Sequence, residues 1–158
     1  MPNAPYHIQK RDRFRDTADF LVQSNNAFSY DSVVQDFFYS AVHEAERFLA
    51  GLNRNSRSHR QRANYITNYM IQARRTIIRR DNFVRNPRHS ADRLFDRNSE
   101  FSYMQLVALR LDLVYGNTIL GQTRHATQRD VQRANHLLRR FFNALNRHET
   151  HLRQRGII

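Results

Sequence analysis

The sequence predicts an all-α protein, folded as an antiparallel bundle of four to five helices in a single domain over residues 1–158. Through most of the chain, apolar residues recur every three or four positions, which is the spacing of one face of an α-helix. No segment alternates apolar and polar residues at every second position, as a half-buried strand would. The 158 residues include only 4 glycines and 3 prolines, so few positions interrupt a helix.

The first two helices are predicted over residues 9–24 and 32–50, with Gly51 as the stop of the second. The apolar face of the first contains Phe14, Ala18, Leu21 and Val22. The apolar stripe of the second contains Val34, Phe38, Ala41, Ala45, Phe48 and Leu52. Its other face is expected to be polar, with Asp36, Tyr39, His43, Glu46 and Arg47.

A third helix is predicted to begin at Ser58, whose hydroxyl can cap it, and to continue to Ile78. Its apolar positions are Ala63, Ile66, Tyr69, Met70, Ala73 and Ile77. Residues 79–101 form an irregular insertion, because Pro87 is incompatible with one continuous helix there. A short helix after Ser90 is expected within it. The buried residues of that short helix would be Leu94 and Phe95.

The last two helices are predicted over residues 102–115 and from Thr127 onward. The inner face of the first of these contains Met104, Val107, Ala108, Leu111 and Val114. Asp130 follows Thr127 by three residues, which is a variant of the capping box at a helix start. The inner stripe of the last helix contains Val131, Ala134, Leu138, Phe141, Leu145 and Leu152.

The charge of the chain points to a polyanionic partner. The formal net charge is +12, and Lys10 is the only lysine among 26 basic residues. Arginine forks match phosphate oxygens in pairs and stack on bases, whereas lysine offers a mobile point charge. RNA or DNA is therefore a better match than a membrane surface or an acidic protein.

Several classes of function are disfavoured by what the sequence lacks. It has no cysteine, which excludes disulfides, cysteine-bound zinc and thiol catalysis. No histidine pair carries the carboxylate spacing of a metal site, and no cofactor is predicted. No apolar run approaches the length of a membrane span, and the first residues lack the apolar core of a signal peptide. We therefore expect a soluble, cytoplasmic protein without a membrane partner.

Three segments in order, "FFYSAVHEAERFLAG", "SRSHRQR" and "LRLDLVYG", resemble the HEPN family (higher eukaryotes and prokaryotes nucleotide-binding). The matching residues are Phe38, Tyr39, Ala41, His43, Ser58, His59, Arg110 and Tyr115. The resemblance covers about residues 30–147. It implies a HEPN-like helical bundle that forms a homodimer, in a family common in defence and toxin–antitoxin settings.

The resemblance also implies a candidate activity, because many HEPN proteins are metal-independent ribonucleases. Their signature is an arginine followed, after four to six residues, by a histidine, with two copies meeting at a dimer interface. Arg54 with His59 has this spacing, as does Arg129 with His136. Histidine can act as acid or base near neutral pH.

The positions of these residues in the chain argue against assigning the family's ribonuclease activity to them directly. His59 aligns better with the opening of a helix, and Arg110 has no histidine at the required distance. The alternative is a composite site of His43 and Arg110. The interpretation favoured for His43 is a half-buried histidine hydrogen-bonded to a neighbouring helix.

Three clusters of arginines are the firmer signal for nucleic-acid binding. The predicted contacts are Arg57, Arg60, Arg62, Arg74, Arg75, Arg79, Arg80, Arg129, Arg133, Arg140 and Arg147. Contacts of this kind to phosphates give affinity without sequence information. Three functions thus stay open: a nucleic-acid-binding protein, a metal-independent ribonuclease, and a helical module for an acidic protein partner.

Overall fold

The computed structural model describes residues 4–24, 26–50, 56, 58, 61–62, 98–115 and 124–154. These residues form four α-helices and no strand, which confirms the all-α class for this part of the chain. The helices are α1 (Ala4–Gln23), α2 (Tyr30–Ala50), α3 (Asn98–Tyr115) and α4 (Gln128–Gln154), with a 3₁₀ turn at Ala27–Ser29 between α1 and α2. The N-terminal helix begins five residues earlier than the predicted residue 9.

Helix α2 is the central element, and its core positions are predicted correctly. The buried apolar residues of the predicted stripe are Val34, Phe38, Ala41, Ala45 and Phe48, while its last member, Leu52, lies outside the described residues. Val33, Phe37 and Leu49 are buried as well, so apolar surface surrounds most of this helix. A helix that is apolar on nearly all sides belongs inside a structure. Accordingly, α1, α3 and α4 all pack against α2.

The predicted polar face of α2 is not a solvent-exposed surface. Glu46 is buried, and Asp36, Tyr39, His43 and Arg47 are only partly exposed. Helix α1 packs along this helix, where the Ser40 hydroxyl donates a hydrogen bond to the Arg11 carbonyl at 3.2 Å. The sequence pattern identified the polar residues but not the helix that covers them.

Contacts at both ends of α2 fix the direction of α4. Near the start of both helices, Asp31 accepts a hydrogen bond from the Ala126 backbone N–H. Near their ends, Arg47 Nη2 lies 2.7 Å from Glu149 Oε2. Helices α2 and α4 therefore run in the same direction. Helix α1 runs opposite to α2, since the short 3₁₀ turn joins them.

The predicted inner face of α3 is wrong. Met104, Leu111 and Val114 are each at least 40% exposed, and Ala108 is exposed too. The residues that are buried instead are Ser102, Tyr103, Leu106 and Leu109, with Val107 as the one correct prediction. Apolar residues occupy several sides of this helix, so its periodicity did not define a single face. In α1, Val22 is likewise exposed rather than buried.

The start of α4 is predicted correctly. The Thr127 N–H donates to Asp130 Oδ2 at 2.9 Å, and the Asp130 N–H donates to Thr127 Oγ1 at 3.3 Å. These two bonds form a capping box in which aspartate replaces the usual glutamate. Along the helix, the predicted residues Val131, Ala134, Leu138, Phe141 and Leu145 are all buried.

The predicted third helix is described only at its first residues. The Gln61 N–H donates to the Ser58 hydroxyl at 3.1 Å, and residues 61–62 are helical, so Ser58 caps a helix start as predicted. The rest of that helix, together with residues 79–97 of the predicted insertion, lies outside the described residues. Residues 98–101 of that insertion belong to α3.

A buried ion pair connects this helix start to the core. Arg62 Nε donates to Glu46 Oε1 at 2.6 Å, and Arg62 Nη1 donates to the Tyr103 hydroxyl at 3.0 Å. The Glu46 and Arg62 side chains are both less than 10% exposed. Ser56 also hydrogen-bonds to Glu46. A buried charge is tolerated only when it is paired, so this pair holds the segment after α2 against α3.

We expect Arg62→Met to lower the free energy of unfolding by about 3 kcal/mol, because it leaves the Glu46 carboxylate buried without its cation. The double variant Glu46→Leu/Arg62→Met should recover most of this loss, since it removes both charges together. Urea denaturation of the two variants measures the difference. Arg13→Met, at an exposed position of α1, serves as the control. A double variant no more stable than Arg62→Met would contradict this account of the pair.

Candidate nucleic-acid interface

The exposed side of α4 carries a line of arginines, which we call the arginine stripe: Arg129, Arg133, Arg140 and Arg147. All four are exposed, and they lie together on one flank of α4, about 110° around the helix from the centre of its buried face. At 3.6 residues per turn they fall within an arc of about 40°. With a rise of 1.5 Å per residue, the first and last are roughly 27 Å apart along the helix axis. The spacing thus produces one straight row of guanidinium groups.

The arginine stripe is not neutralised by any acidic residue in the part of the chain that the structure describes. Within the described part of the chain, none of its four members forms an ion pair. The acidic residues on α4 are both engaged elsewhere. Asp130 pairs with Arg124 at 2.8 Å, and Glu149 pairs with Arg47 and Arg153. The hydrogen bonds from Arg124 hold the pKa of Asp130 well below its usual range, so this carboxylate stays charged and bound to Arg124.

Arg139 extends the basic surface and was missed by the sequence reasoning. It is exposed on α4 beside Arg140 and has no ion pair among the described residues. The segment "LLRRFF" places Arg139 directly before Arg140. Only Arg140 fits the four- and seven-residue spacing by which the candidate residues were chosen. Two exposed polar residues, His136 and Asn143, lie between the arginines of the stripe, as the spacing predicted.

Arg62 requires a correction, because it was grouped with the surface arginines. Its guanidinium is buried against Glu46 and Tyr103, so it is not part of an exposed phosphate-binding surface in this structure. The spacing of basic residues in the sequence could not show that Arg62 would form an ion pair with Glu46. The other candidate site residues between positions 54 and 80 lie outside the described residues: Arg54, Arg57, His59, Arg60, Arg74, Arg75, Arg79 and Arg80.

His43 faces α1, as the favoured interpretation predicted. Its Nδ1 lies 3.1 Å from Nδ1 of His7, so one ring donates a hydrogen bond and the other accepts it. The Phe14 ring stacks on His43 from the same helix, with ring centres 5.6 Å apart. Burial, followed by the neighbouring His7 and the cations Arg62 and Lys10, lowers the pKa of His43 to about 4. His43 is therefore neutral at pH 7 and poorly matched to a general acid.

Arg110 does not join His43 in a composite site. The Arg110 guanidinium lies over the Phe38 and Tyr39 rings, with its Cζ at 5.1 and 5.7 Å from their centres. Tyr39 is one helical turn before His43, and no described contact connects the Arg110 and His43 side chains. The arrangement is a cation–π contact between α3 and α2, and it stabilises their packing.

A second polar site, absent from the sequence analysis, is built around Glu44. This carboxylate is 1% exposed and accepts hydrogen bonds from Arg11 of α1 and from two nitrogens of Arg47. The Nη2 atom of Arg47 also donates a hydrogen bond to Glu149 Oε2 of α4 at 2.7 Å. An open cleft of about 320 Å³ lies beside these arginines, between α1 and the end of α4. Because each of these arginines is bound to a carboxylate, the cluster primarily joins three helices.

Two further findings concern metals and membranes. Among the residues that the structure describes, no group of three or more metal-ligating side chains lies close enough to hold an ion. No helix in the same ranges has both the length and the apolar character needed to cross a membrane.

Comparisons with known proteins give no relationship for this chain. No protein-family model matches it, and no match was found among curated proteins or solved structures. The resemblance to the HEPN family therefore stays a prediction from the motifs.

The His7–His43 pair predicts a pH-dependent stability. Burial lowers the pKa of both histidines, while Arg62 opposes and Glu46 favours the charged form of each ring; Lys10 also opposes it at His43. A lowered pKa in the folded state means that the unfolded chain binds more protons. The stabilisation is therefore complete above the ordinary pKa of 6.5 and is lost as pH falls toward 4.

We expect the free energy of unfolding to fall by on the order of 1 kcal/mol between pH 7.5 and pH 4.5 because of this pair, after allowing for its partial exposure to solvent. Urea denaturation at both pH values measures the change. The double variant His7→Gln/His43→Gln retains hydrogen-bonding amides that do not titrate, so it should lose less stability on acidification. Equal losses in the wild type and the double variant would assign the effect to the carboxylates instead.

Proposed function

We propose that this protein binds RNA or another nucleic acid through the arginine stripe of α4. The observation that carries the proposal is the row of four exposed guanidinium groups with no ion pair among the described residues. A polyanion is the partner that best neutralises such a row, because each phosphate supplies one charge along an extended backbone. Arginine adds paired hydrogen bonds to each phosphate that it contacts.

The division of the arginines into two groups supports this assignment. Arg11, Arg47 and Arg124 each contact at least one carboxylate at 2.8 Å or less. The members of the arginine stripe contact no carboxylate among the described residues, although they belong to the same helix as Glu149 and Asp130. A merely soluble surface does not need its cations gathered on one side of one helix.

The resemblance to the HEPN family extends the proposal. It favours a HEPN-like bundle that works as a homodimer, in a defence or toxin–antitoxin-like role. The arginine stripe does not depend on that resemblance, since its geometry follows from α4 alone.

Two alternatives share parts of this surface. An acidic protein could occupy the same arginines, and it would compete with nucleic acid for them. A metal-independent ribonuclease would need Arg54 and His59, which lie outside the described residues, or His43 with Arg110, which do not contact each other. Binding without cleavage is therefore the function that the described geometry supports best.

We expect binding to single-stranded RNA to weaken steeply with salt. If all four arginines of the stripe contact phosphates, a plot of log affinity against log salt concentration should have a slope of about −3. The double variant Arg133→Gln/Arg140→Gln should bind more weakly and reduce this slope to about half, since two phosphate contacts are lost. Fluorescence anisotropy with labelled RNA between 50 and about 300 mM salt provides both values.

The matched control is Arg13→Gln/Arg15→Gln, which removes the same charge from exposed positions of α1. It should leave the slope close to that of the wild type if the stripe is the binding surface. Equal effects of the two double variants would mean that net charge alone drives binding. No binding by the wild type, combined with capture of an acidic protein, would favour the protein-partner alternative.

A separate experiment tests cleavage. End-labelled RNA incubated with the protein in EDTA should stay intact and be shifted on a native gel. Cleavage that persists in EDTA and disappears in His59→Ala or His43→Ala would establish the ribonuclease alternative and identify its histidine. The same variants should then bind RNA with unchanged affinity, because neither belongs to the arginine stripe.

A further inference from the structure

We propose that the protein prefers single-stranded nucleic acid, and that unpaired bases stack on exposed aromatic rings at the end of the molecule where α4 begins. The inference rests on the proposed function and adds its substrate class. The rings are Phe20, Phe28 and His125, which we call the aromatic end.

The exposure of these rings is unusual for a folded chain. The Phe28 side chain is 97% exposed and Phe20 is 69% exposed, although phenylalanine is among the residues most often buried. Each fully exposed phenylalanine leaves a large apolar area in water, at a cost that burial would relieve.

The contacts of the helix ends gather these rings at one end of the molecule. Phe20 lies in the last turn of α1, and Phe28 lies in the 3₁₀ turn that leads into α2. Asp31, in the first turn of α2, accepts a hydrogen bond from the Ala126 N–H and contacts His125 Nδ1 at 2.8 Å. The segment before α4 is therefore attached to the start of α2, close in sequence to Phe28.

Asp31 also holds the His125 ring in place without covering it. The side chain of His125 is 92% exposed, so a face of the ring is accessible to a base. An imidazole fixed by one hydrogen bond has already lost much of the side-chain freedom that stacking would otherwise remove.

The arginine stripe begins at this same end. Arg129 lies in the first turn of α4, four residues after His125, and Arg133 follows one turn later. A strand whose phosphates follow the stripe would thus bring bases to the aromatic end. This combination of a cationic track with aromatic stacking surfaces is the general design of single-strand binding sites.

A single strand fits this surface better than a duplex, because a duplex keeps its bases paired and stacked on each other. Exposed phenylalanines have no hydrogen-bonding group with which to read a groove edge. Their rings stack on the flat face of a base, which is accessible without unstacking a duplex only when the base is unpaired. The arginine stripe alone would accept either form, since it recognises phosphates.

The experiment compares Phe28→Ala with the wild type on one labelled RNA strand and on the duplex formed from that strand. We expect about tenfold weaker binding of the single strand and unchanged binding of the duplex, since one stacking contact is lost. The matched control is Met104→Ala, which removes another exposed apolar side chain from the opposite half of the molecule. It should bind both forms like the wild type.

A second variant reports stacking directly. The chain contains no tryptophan, so Phe28→Trp introduces a single indole at the aromatic end. Its fluorescence should be quenched when the single strand binds and should stay nearly unchanged with the duplex, while affinity equals or exceeds that of the wild type. This variant also preserves an aromatic side chain, so a loss of folding in Phe28→Ala would not leave the inference untested.

The outcomes separate this inference from the proposed function. Equal affinity of wild type and Phe28→Ala for the single strand, with a steep salt dependence in both, would reject stacking and keep phosphate binding. Binding of neither form by the wild type would reject both proposals. If Phe28→Ala instead changed the oligomeric state in sedimentation without altering RNA binding, the aromatic end would be a contact between copies of this chain.

Discussion

The structure depends on how the buried carboxylates of α2 are neutralised. Glu44 and Glu46 lie in a helix that is covered on most of its circumference, and neither is more than 6% exposed. A carboxylate in that position is stable only with a cation beside it. Glu44 forms ion pairs with Arg11 and Arg47, while Glu46 forms an ion pair with Arg62. These pairs join α2 to segments before and after it, so the same electrostatic requirement selects the partners and their arrangement.

This requirement also explains why the remaining arginines are available for a partner. With 26 basic and 14 acidic side chains, the chain cannot neutralise itself. Four of the acidic groups on α2 and α4, namely Glu44, Glu46, Asp130 and Glu149, are bound by Arg11, Arg47, Arg62 and Arg124. Part of the excess is the arginine stripe on the exposed flank of α4. The exposed charge of α4 is thus part of what remains after these carboxylates have been paired with cations.

Local signals made most of the helices predictable. The stripe of α2 and the Thr127–Asp130 capping box involve residues a few positions apart, and both were predicted correctly. The inner face of α3 was not, because apolar residues on several of its sides leave the orientation to its neighbours. The partners of His43 and Glu44 lie 36 and 33 residues away, and no spacing rule identifies contacts of that kind.

For the candidate site, the sequence predicted the arginine stripe because a four- and seven-residue spacing on a regular helix determines which side chains share a face. It misassigned Arg62, because whether an arginine is exposed depends on a distant carboxylate. It also missed Phe20 and Phe28, since apolar residues at a helix end and in a turn are indistinguishable in sequence from residues that become buried.

The parallel direction of α2 and α4 has a consequence for the order of folding. Their contacts join residues 94 and 102 positions apart, whereas α1 and α2 are adjacent in the chain. Closing so long a loop costs more entropy than forming the α1–α2 hairpin, and proteins rich in distant contacts fold more slowly. During synthesis, α1 and α2 are therefore expected to associate first. Glu149 reaches Arg47 only after α4 has left the ribosome, so the nascent hairpin would present an uncovered groove until that helix emerges.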